Sequence, residues 1–499
     1  MISTKVHGGH AGLATMPGTP AGPVATPTVS DLLNDAPTGK FHRRAVFISG
    51  MGFFTDAYDL FVISTVVILA GDQWHLTLNQ KNFVVSAAIL AAFVGAFAFG
   101  RIADVVGRKR VYTVVAGIMI VGALASAFAT NWVWLVAARF VLGLGIGGDY
   151  PVSAVLMSEY SNKTDRGRLV GLVFSMQALG LIVGPLVGLA LLSSGLHHDL
   201  VWRLMLGLGA VPAATVVYLR AKMPESPRFQ AKVQGRAERA AKQLALFSGG
   251  AVPGGLPASE DVARMGFFEF LANRRMLALV LGTAGSWFLL DYALYGNTLS
   301  LPAILKQVAP KATLETTLAW TLGIFVLFAL PGYVLAFVKM DRIGHRRLQW
   351  IGFAVMAVSF GILGIVPGMT TTVVPFLLVF GVSYFFIEFG PNTTTFVMPS
   401  ELFPVSQRTT GHGIAAGIGK LGAFVGVFVI PHLQKSIGLR GMLLVAGASA
   451  VLGFLLTLRL PEPSGRTLEE LSGEDAGARG RGPAPTDVAD PPAPIAQIS

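Results

Sequence analysis

Apolar residues recur along this chain in runs of roughly 20, long enough to cross a bilayer as helices. The first six runs fall at residues 45–70, 83–103, 111–130, 132–157, 168–193 and 202–221. Six more fall at 276–300, 316–340, 347–368, 372–398, 410–433 and 440–459. Between the two sets lies a polar stretch, 222–275, in which Lys232, Arg236, Arg239 and Lys242 repeat at helical spacing. The pattern predicts an all-α membrane protein with twelve transmembrane helices in two six-helix halves, 45–221 and 276–460. Residues 1–44 are rich in Gly, Pro, Thr and Ala without a basic stretch leading into an apolar core. They are expected to form a disordered tail rather than a signal peptide, and 461–499 a second such tail.

Composition agrees with the pattern. Hydrophobic residues make up 53% and charged residues 13%, against roughly a quarter charged in soluble domains. The net charge of +11 does not point to nucleic acid, because the basic residues sit in short loops between apolar runs. Arg108, Lys109 and Arg110 follow the second run; Lys163, Arg166 and Arg168 follow the fourth; Arg342, Arg346 and Arg347 follow the eighth. Opposite loops are nearly free of them, so both termini and the middle stretch are expected in the cytoplasm, and the membrane is expected to be the plasma membrane. With no cysteine, thiolate chemistry and cysteine metal sites are excluded. No nucleophile–base pair, metal cluster or phosphate-binding glycine loop is recognisable, so neither an enzyme nor a cofactor is expected.

The halves repeat each other. Ser158-Glu159 precedes Arg166 at the spacing by which Ser400-Glu401 precedes Arg408, and Asp104-x-x-Gly107-Arg108 returns as Asp341-x-x-Gly344-His345-Arg346. Paired halves of this kind suit a carrier that rocks about a site at their interface. Gly100-x-x-x-Asp104-x-x-Gly107-Arg108-Lys109 resembles the cytoplasmic loop motif of the major facilitator superfamily. Pro224-Glu225-Ser226-Pro227-Arg228, Glu401-Leu402-Phe403-Pro404 and Pro461-Glu462 resemble its sugar-porter-like branch. Within that branch, Gly147-Gly148-Asp149-Tyr150-Pro151 resembles the signature of phosphate:proton symporters, with Val152 where leucine is usual. The resemblance implies the major facilitator fold and alternating access.

Polar residues inside the runs carry the candidate chemistry, since each is costly in hydrocarbon. Asp56 and Asp59 share a face of the first span. Asp56, preceded by apolar and small residues, is the first choice for a proton carrier, with Asp59 its neighbour. Asp149 and Tyr150 precede a helix-breaking proline; Asp149 beside Asp56 would allow one proton to be shared between two acids. Gln177 is either interhelical glue or an anion contact. Trp287, Asp291 and Tyr295 stack on one face of the seventh span. Asn392 is related to Tyr150 by the repeat, the threonines after it can bond back to their own helix, and Glu388 is either a helix tie or functional. Lys420, mid-span, needs an anionic partner. The resemblance implies that Tyr150, Gln177, Trp287, Asp291, Tyr295 and Lys420 contact phosphate, and that Asp56 and Asp149 belong to the proton route; the repeat adds Asn392 to the expected phosphate contacts. It also implies that Arg139 joins the loop charge network. Asp104, Arg108, Glu159, Arg166, Glu401 and Arg408 are expected as inter-half salt bridges closing a cytoplasmic gate, and His412 as an interhelical histidine.

Such a set suits phosphate among oxyanions. Near neutral pH phosphate keeps a proton to donate to Asp291, whereas sulfate brings only charge repulsion. The expected partners are therefore inorganic phosphate, protons and the lipid bilayer. A proton-coupled sugar or organic-acid porter and a nutrient-sensing transceptor stand as alternatives.

Overall fold

The computed structural model describes residues 27–247 and 265–474, and every regular element among them is helical. Most of the expected N-terminal tail (1–26), the centre of the middle stretch (248–264) and the end of the C-terminal tail (475–499) lie outside the described residues. The first six spans are Lys40–Gln73, Leu78–Val106, Arg108–Ala127, Trp132–Tyr160, Arg166–Leu192 and His198–Ala221. Arg274–Leu299, Leu314–Ile343, His345–Ile365 and Val373–Leu402 follow as the seventh to tenth. Arg408–Thr457 runs for 50 residues but turns at Gly438, whose φ of 75° a side chain would resist, and so supplies the eleventh and twelfth. Several helices outrun the apolar runs that announced them. The first begins at Lys40 rather than 45, because a helix continues past the bilayer wherever its polar end finds partners.

Two stretches at prolines relax into π-helical turns. One is Phe325–Ala329, just before Pro331; the other is Glu388–Asn392, containing Pro391. Proline cannot donate the normal backbone bond, and a π turn absorbs the missing donor. The threonines that follow bond back to their own helix: Thr393 Oγ1 donates to the Glu388 carbonyl at 2.7 Å and Thr394 Oγ1 to that of Gly390 at 2.9 Å.

The halves meet mainly where the second span packs on the eleventh and the fifth on the eighth. On the face carrying the basic loops, carboxylates cap helix N-termini in matched pairs. Asp104 accepts the backbone N–H of Thr410 at 2.6 Å, and Asp341 that of Arg168 at 2.7 Å, each reaching into the other half. Glu225 accepts the N–H of Arg108 at 3.2 Å, and Glu462 that of His345 at 2.8 Å. Charge at a helix N-terminus is favourable, and the repeat seen in the sequence supplies it twice over.

The described parts of the expected tails are folded rather than disordered. Val29–Asn34 is a helix capped by Thr28, with Val29 and Leu33 fully buried. Leu468–Ser472 is capped by Thr467, and Glu469 beside it pairs with Arg228 and Lys232 at 3.5 and 3.2 Å. Apolar burial and these ion pairs hold segments that composition alone marked as loose. Burial opposes ionisation of Glu469, but Arg228, Lys232 and Arg408 outweigh it and keep the carboxyl well below the usual carboxylate range.

Candidate functional site

Midway along the spans, seven helices bring polar side chains together, none more than 5% exposed. From the first half, Tyr150 donates its hydroxyl to Asp56 Oδ2 at 2.5 Å, and Gln177 Nε2 donates to the same oxygen at 3.1 Å. Gln177 Nε2 also reaches the Tyr150 hydroxyl at 2.9 Å. From the second half, Lys420 Nζ donates to the Tyr295 hydroxyl at 2.7 Å and to Asp291 Oδ2 at 3.3 Å. The ammonium also lies over the rings of Tyr295 and Tyr150, 4.2 and 4.5 Å from their centroids. Trp287, one turn from Asp291, packs 6.1 Å from Tyr150 and closes the cluster with Phe396. Gly422 lets the eleventh span reach the seventh, since a Cβ there would strike the Phe288 backbone. That approach places Lys420 against Asp291 and Tyr295.

A hydrogen-bonded chain crosses between the halves. The Tyr333 hydroxyl donates to Gln177 Oε1 at 3.1 Å and accepts from Asn392 Nδ2 at 2.9 Å, and Asn392 Nδ2 also donates to Glu388 Oε2 at 2.5 Å. Asn392 therefore communicates with Tyr150 through Tyr333 and Gln177 rather than by contact. Tyr333 was missed in the sequence because a lone tyrosine in an apolar run reads as packing. The chemistry on offer is a buried cation, hydroxyl and amide donors, and the carboxyl groups of Asp56, Asp291 and Glu388. Asp56 Oδ1 and Asp291 Oδ1 take no hydrogen bond among the described residues. Unsatisfied buried acceptors of this kind are costly and belong where a ligand or proton completes them.

The structure separates acids that the sequence grouped. Asp149 is not shared with Asp56. Arg220 holds it with two bonds of 2.6 and 3.1 Å, and Ser153 adds a third at 3.1 Å. Successive helix residues diverge by about 100°, so Asp149 and its neighbour Tyr150 meet different surroundings. Gly52 makes room, because a Cβ there would collide with both Asp149 and Arg220. Arg220 ends the sixth span and sits beside Lys222, where it reads as an ordinary boundary charge. Asp59 likewise faces Arg139 at 3.1 Å, both fully buried. This corrects the expected link between Arg139 and the loop network: Arg139 lies too deep in the fourth span to reach it. His412 Nε2 bonds the Phe396 carbonyl at 2.9 Å, an interhelical contact.

The six residues expected at the gate gather on the basic-loop face, but among the described residues only two of their ion pairs join the halves. Arg408 meets Glu159 at 3.2 Å and Arg166 meets Glu401 at 3.9 Å. Arg108 keeps its ion pairs within its half, with Asp104 at 2.9 Å and Glu159 at 3.4 Å and Phe229 under its guanidinium, but Nη2 crosses the interface to the Val405 carbonyl at 2.8 Å. Asp104 spans the halves by capping the eleventh helix rather than by pairing with a cation. His345 stands where the repeat puts Arg108 and meets Glu401 at 2.9 Å. Ser158 Oγ donates to the Ser400 carbonyl across the interface at 3.1 Å. This face is closed.

Comparison with known proteins adds to the geometry. A family model described as sugar (and other) transporter matches residues 45–474. A putative inorganic phosphate transporter 1-13 of Oryza sativa subsp. japonica is 36% identical over 474 residues, covering 89% of this chain and 93% of that protein. A probable inorganic phosphate transporter 1-7 of Arabidopsis thaliana is 37% identical, covering 90% and 95%. Among solved structures, the proton:xylose symporter XylE, a major facilitator superfamily protein, aligns with a TM-score of 0.73 at 21% identity. That alignment covers 88% of this chain and 100% of the other, and its likeness is one of fold.

Proposed function

This chain belongs to the sugar (and other) transporter family, and we propose that it imports inorganic phosphate together with protons by alternating access. The observation that carries the reading is the pairing of Lys420 with Asp291 and Tyr295 at the meeting of the halves, with one oxygen of Asp291 left without a hydrogen bond among the described residues. The lysine attracts and balances an anion. The free carboxylate oxygen accepts a proton-bearing oxygen, which phosphate has near neutral pH and sulfate lacks. An unmade bond at such a position costs roughly 1–3 kcal/mol, enough to reject the wrong oxyanion. The two plant relatives, named as phosphate transporters and matched over about nine-tenths of the chain, support the same substrate.

Tyr150, Gln177, Trp287 and Asn392 complete the proposed phosphate contacts. Moving a monovalent anion inward against a negative-inside potential of 100 mV costs about 2.3 kcal/mol, and protons carried along offset that cost. Asp56 is the proposed carrier. It has no arginine partner among the described residues, and both Tyr150 and Gln177, which face the anion, also hold its Oδ2. In this reading, protonating Asp56 frees Tyr150 and Gln177 to turn their donors to the substrate, which links the two loads. Asp149 and Asp59 would take protons only in a state where Arg220 and Arg139 release them. Glu159–Arg408 and Glu401–Arg166 act as the proposed inward gate, in a plasma membrane with both termini cytoplasmic, as the basic loops favour.

Radiolabelled phosphate uptake into proteoliposomes under an imposed inward proton gradient tests this. Gradient-stimulated uptake that collapses with a protonophore is expected. Hexose uptake in its place would reject the reading.

A further inference from the structure

A second polar cavity lies at the basic-loop face of the second half, away from the central cluster. Beyond Thr457 the chain folds back beneath the ninth span, where Glu462 caps the helix through the N–H groups of His345 and Arg346 at 2.8 and 3.1 Å. Between this segment and the ends of the seventh and twelfth spans is a cavity of about 600 Å³. Arg275, Arg346, Arg459 and Arg466 line it, opposed by one carboxylate, Glu470. Among the described residues none of these arginines enters an ion pair.

Their roles divide. Arg275 and Arg346 are fixed in the wall, donating to the carbonyls of Leu471 at 2.9 Å and Leu460 at 3.0 Å. Arg459 and Arg466 are exposed, with guanidinium groups that make no hydrogen bond among the described residues. The remaining wall is apolar and includes Leu281, which is 62% exposed on the outer side of the seventh span, and Leu456. The cavity is thus cationic where the spans end and greasy where they enter hydrocarbon.

We propose that it binds an anionic phospholipid, with the headgroup phosphate among the four arginines and an acyl chain along Leu281 and Leu456. Guanidinium forks match phosphate oxygens in pairs, and basic pockets at the membrane boundary take anionic headgroups in this way. The apolar wall is what selects a lipid over a free ion. A bound lipid would tie the returning segment to the seventh and ninth spans, and through His345 to Glu401 at the gate.

The test is equilibrium binding of phosphatidylglycerol to the purified full-length protein in detergent. Phosphatidylcholine and inorganic phosphate serve as parallel probes. Phosphatidylglycerol is expected to bind at least about tenfold more tightly than phosphatidylcholine, with affinity falling as salt rises. Each arginine at a charged membrane surface contributes about fivefold, so Arg459→Gln with Arg466→Gln should weaken binding about 25-fold. Arg236→Gln with Arg239→Gln removes as much charge from the middle stretch and should change binding less than twofold. The Arg459→Lys and Arg466→Lys pair, which keeps the charge, should retain most of it and guards against misfolding. Equal binding of the two lipids, equal loss in the control pair, or competition by inorganic phosphate at matched concentration would each overturn the proposal.

Discussion

Two of the buried acid–base pairs in this molecule, Asp149 with Arg220 and Asp291 with Lys420, are built differently. In the first half, Asp149 has both oxygens taken by Arg220 and one further bond from Ser153. In the second half, Asp291 offers one oxygen to Lys420 at 3.3 Å and leaves the other without a hydrogen bond among the described residues, while the ammonium makes its shorter bond to Tyr295. A forked guanidinium on a carboxylate is a closed unit that gains nothing from a ligand. A point-like ammonium shared among an acid, a phenol and two aromatic faces can transfer part of its attention to an incoming anion. The contrast teaches that burial of charge alone does not mark a binding site. What marks it is a carboxylate left incomplete beside a shared ammonium where the halves meet; Asp59, which also keeps one oxygen without a partner among the described residues, faces an arginine within its own half.

That contrast can be broken by substitution. The largest effect is expected at Lys420→Met, which strands Asp291 without its cation and removes the anion's counter-charge. Initial phosphate uptake should fall by about 100-fold or more, on the scale of a broken buried pair. Next, Asp149→Asn should destabilise the protein by about 3–5 kcal/mol, since Arg220 is left buried beside a neutral partner. Asp291→Asn should cost clearly less, because Lys420 keeps Tyr295 and both rings. Thermal unfolding of the two variants side by side would settle the ranking, and equal losses would erase the distinction between a closed and an open pair.

Smaller effects sharpen the picture around the pairs. Tyr333→Phe removes the hydroxyl that joins Gln177 to Asn392, a loss of roughly 1 kcal/mol per hydrogen bond. Uptake several-fold slower, with nearly unchanged unfolding temperature, is expected. The weakest effect concerns Glu469, whose carboxyl is held below its ordinary value of 4.5. A lowered folded-state value means that its contribution to stability is fully present above that pH and fades as acid protonates it. The wild-type protein should therefore lose stability below about pH 4.5 faster than Glu469→Gln, as read by unfolding against pH.

Much of this was legible in the sequence because the bilayer enforces it. Apolar runs had to be long, and polar residues within them had to have a purpose. The seven candidate phosphate contacts do converge, since most are anchored by motif or by helical spacing such as that of Trp287, Asp291 and Tyr295. Partner choice was not legible. Whether Asp149 meets Asp56 or Arg220 depends on helix rotation and on the space left by Gly52. Arg139 looked like part of a surface network until its depth against Asp59 was seen. Tyr333 carried no signal beyond its ring. The short helices at 29–34 and 468–472 were hidden by their loop-like composition, because their stability comes from what they pack against: burial of Val29 and Leu33 in one, and Arg228 and Lys232 at Glu469 in the other.

The central claim is that the open carboxylate of Asp291 makes the site choose phosphate. Proton-driven uptake of phosphate, competed by sulfate, should be compared between the wild-type protein and Asp291→Asn in the same proteoliposomes. The account predicts that sulfate competes poorly with the wild type and at least about tenfold better with the variant, the equivalent of one lost hydrogen bond to a charged group. Unchanged discrimination in a folded, transporting variant would contradict it.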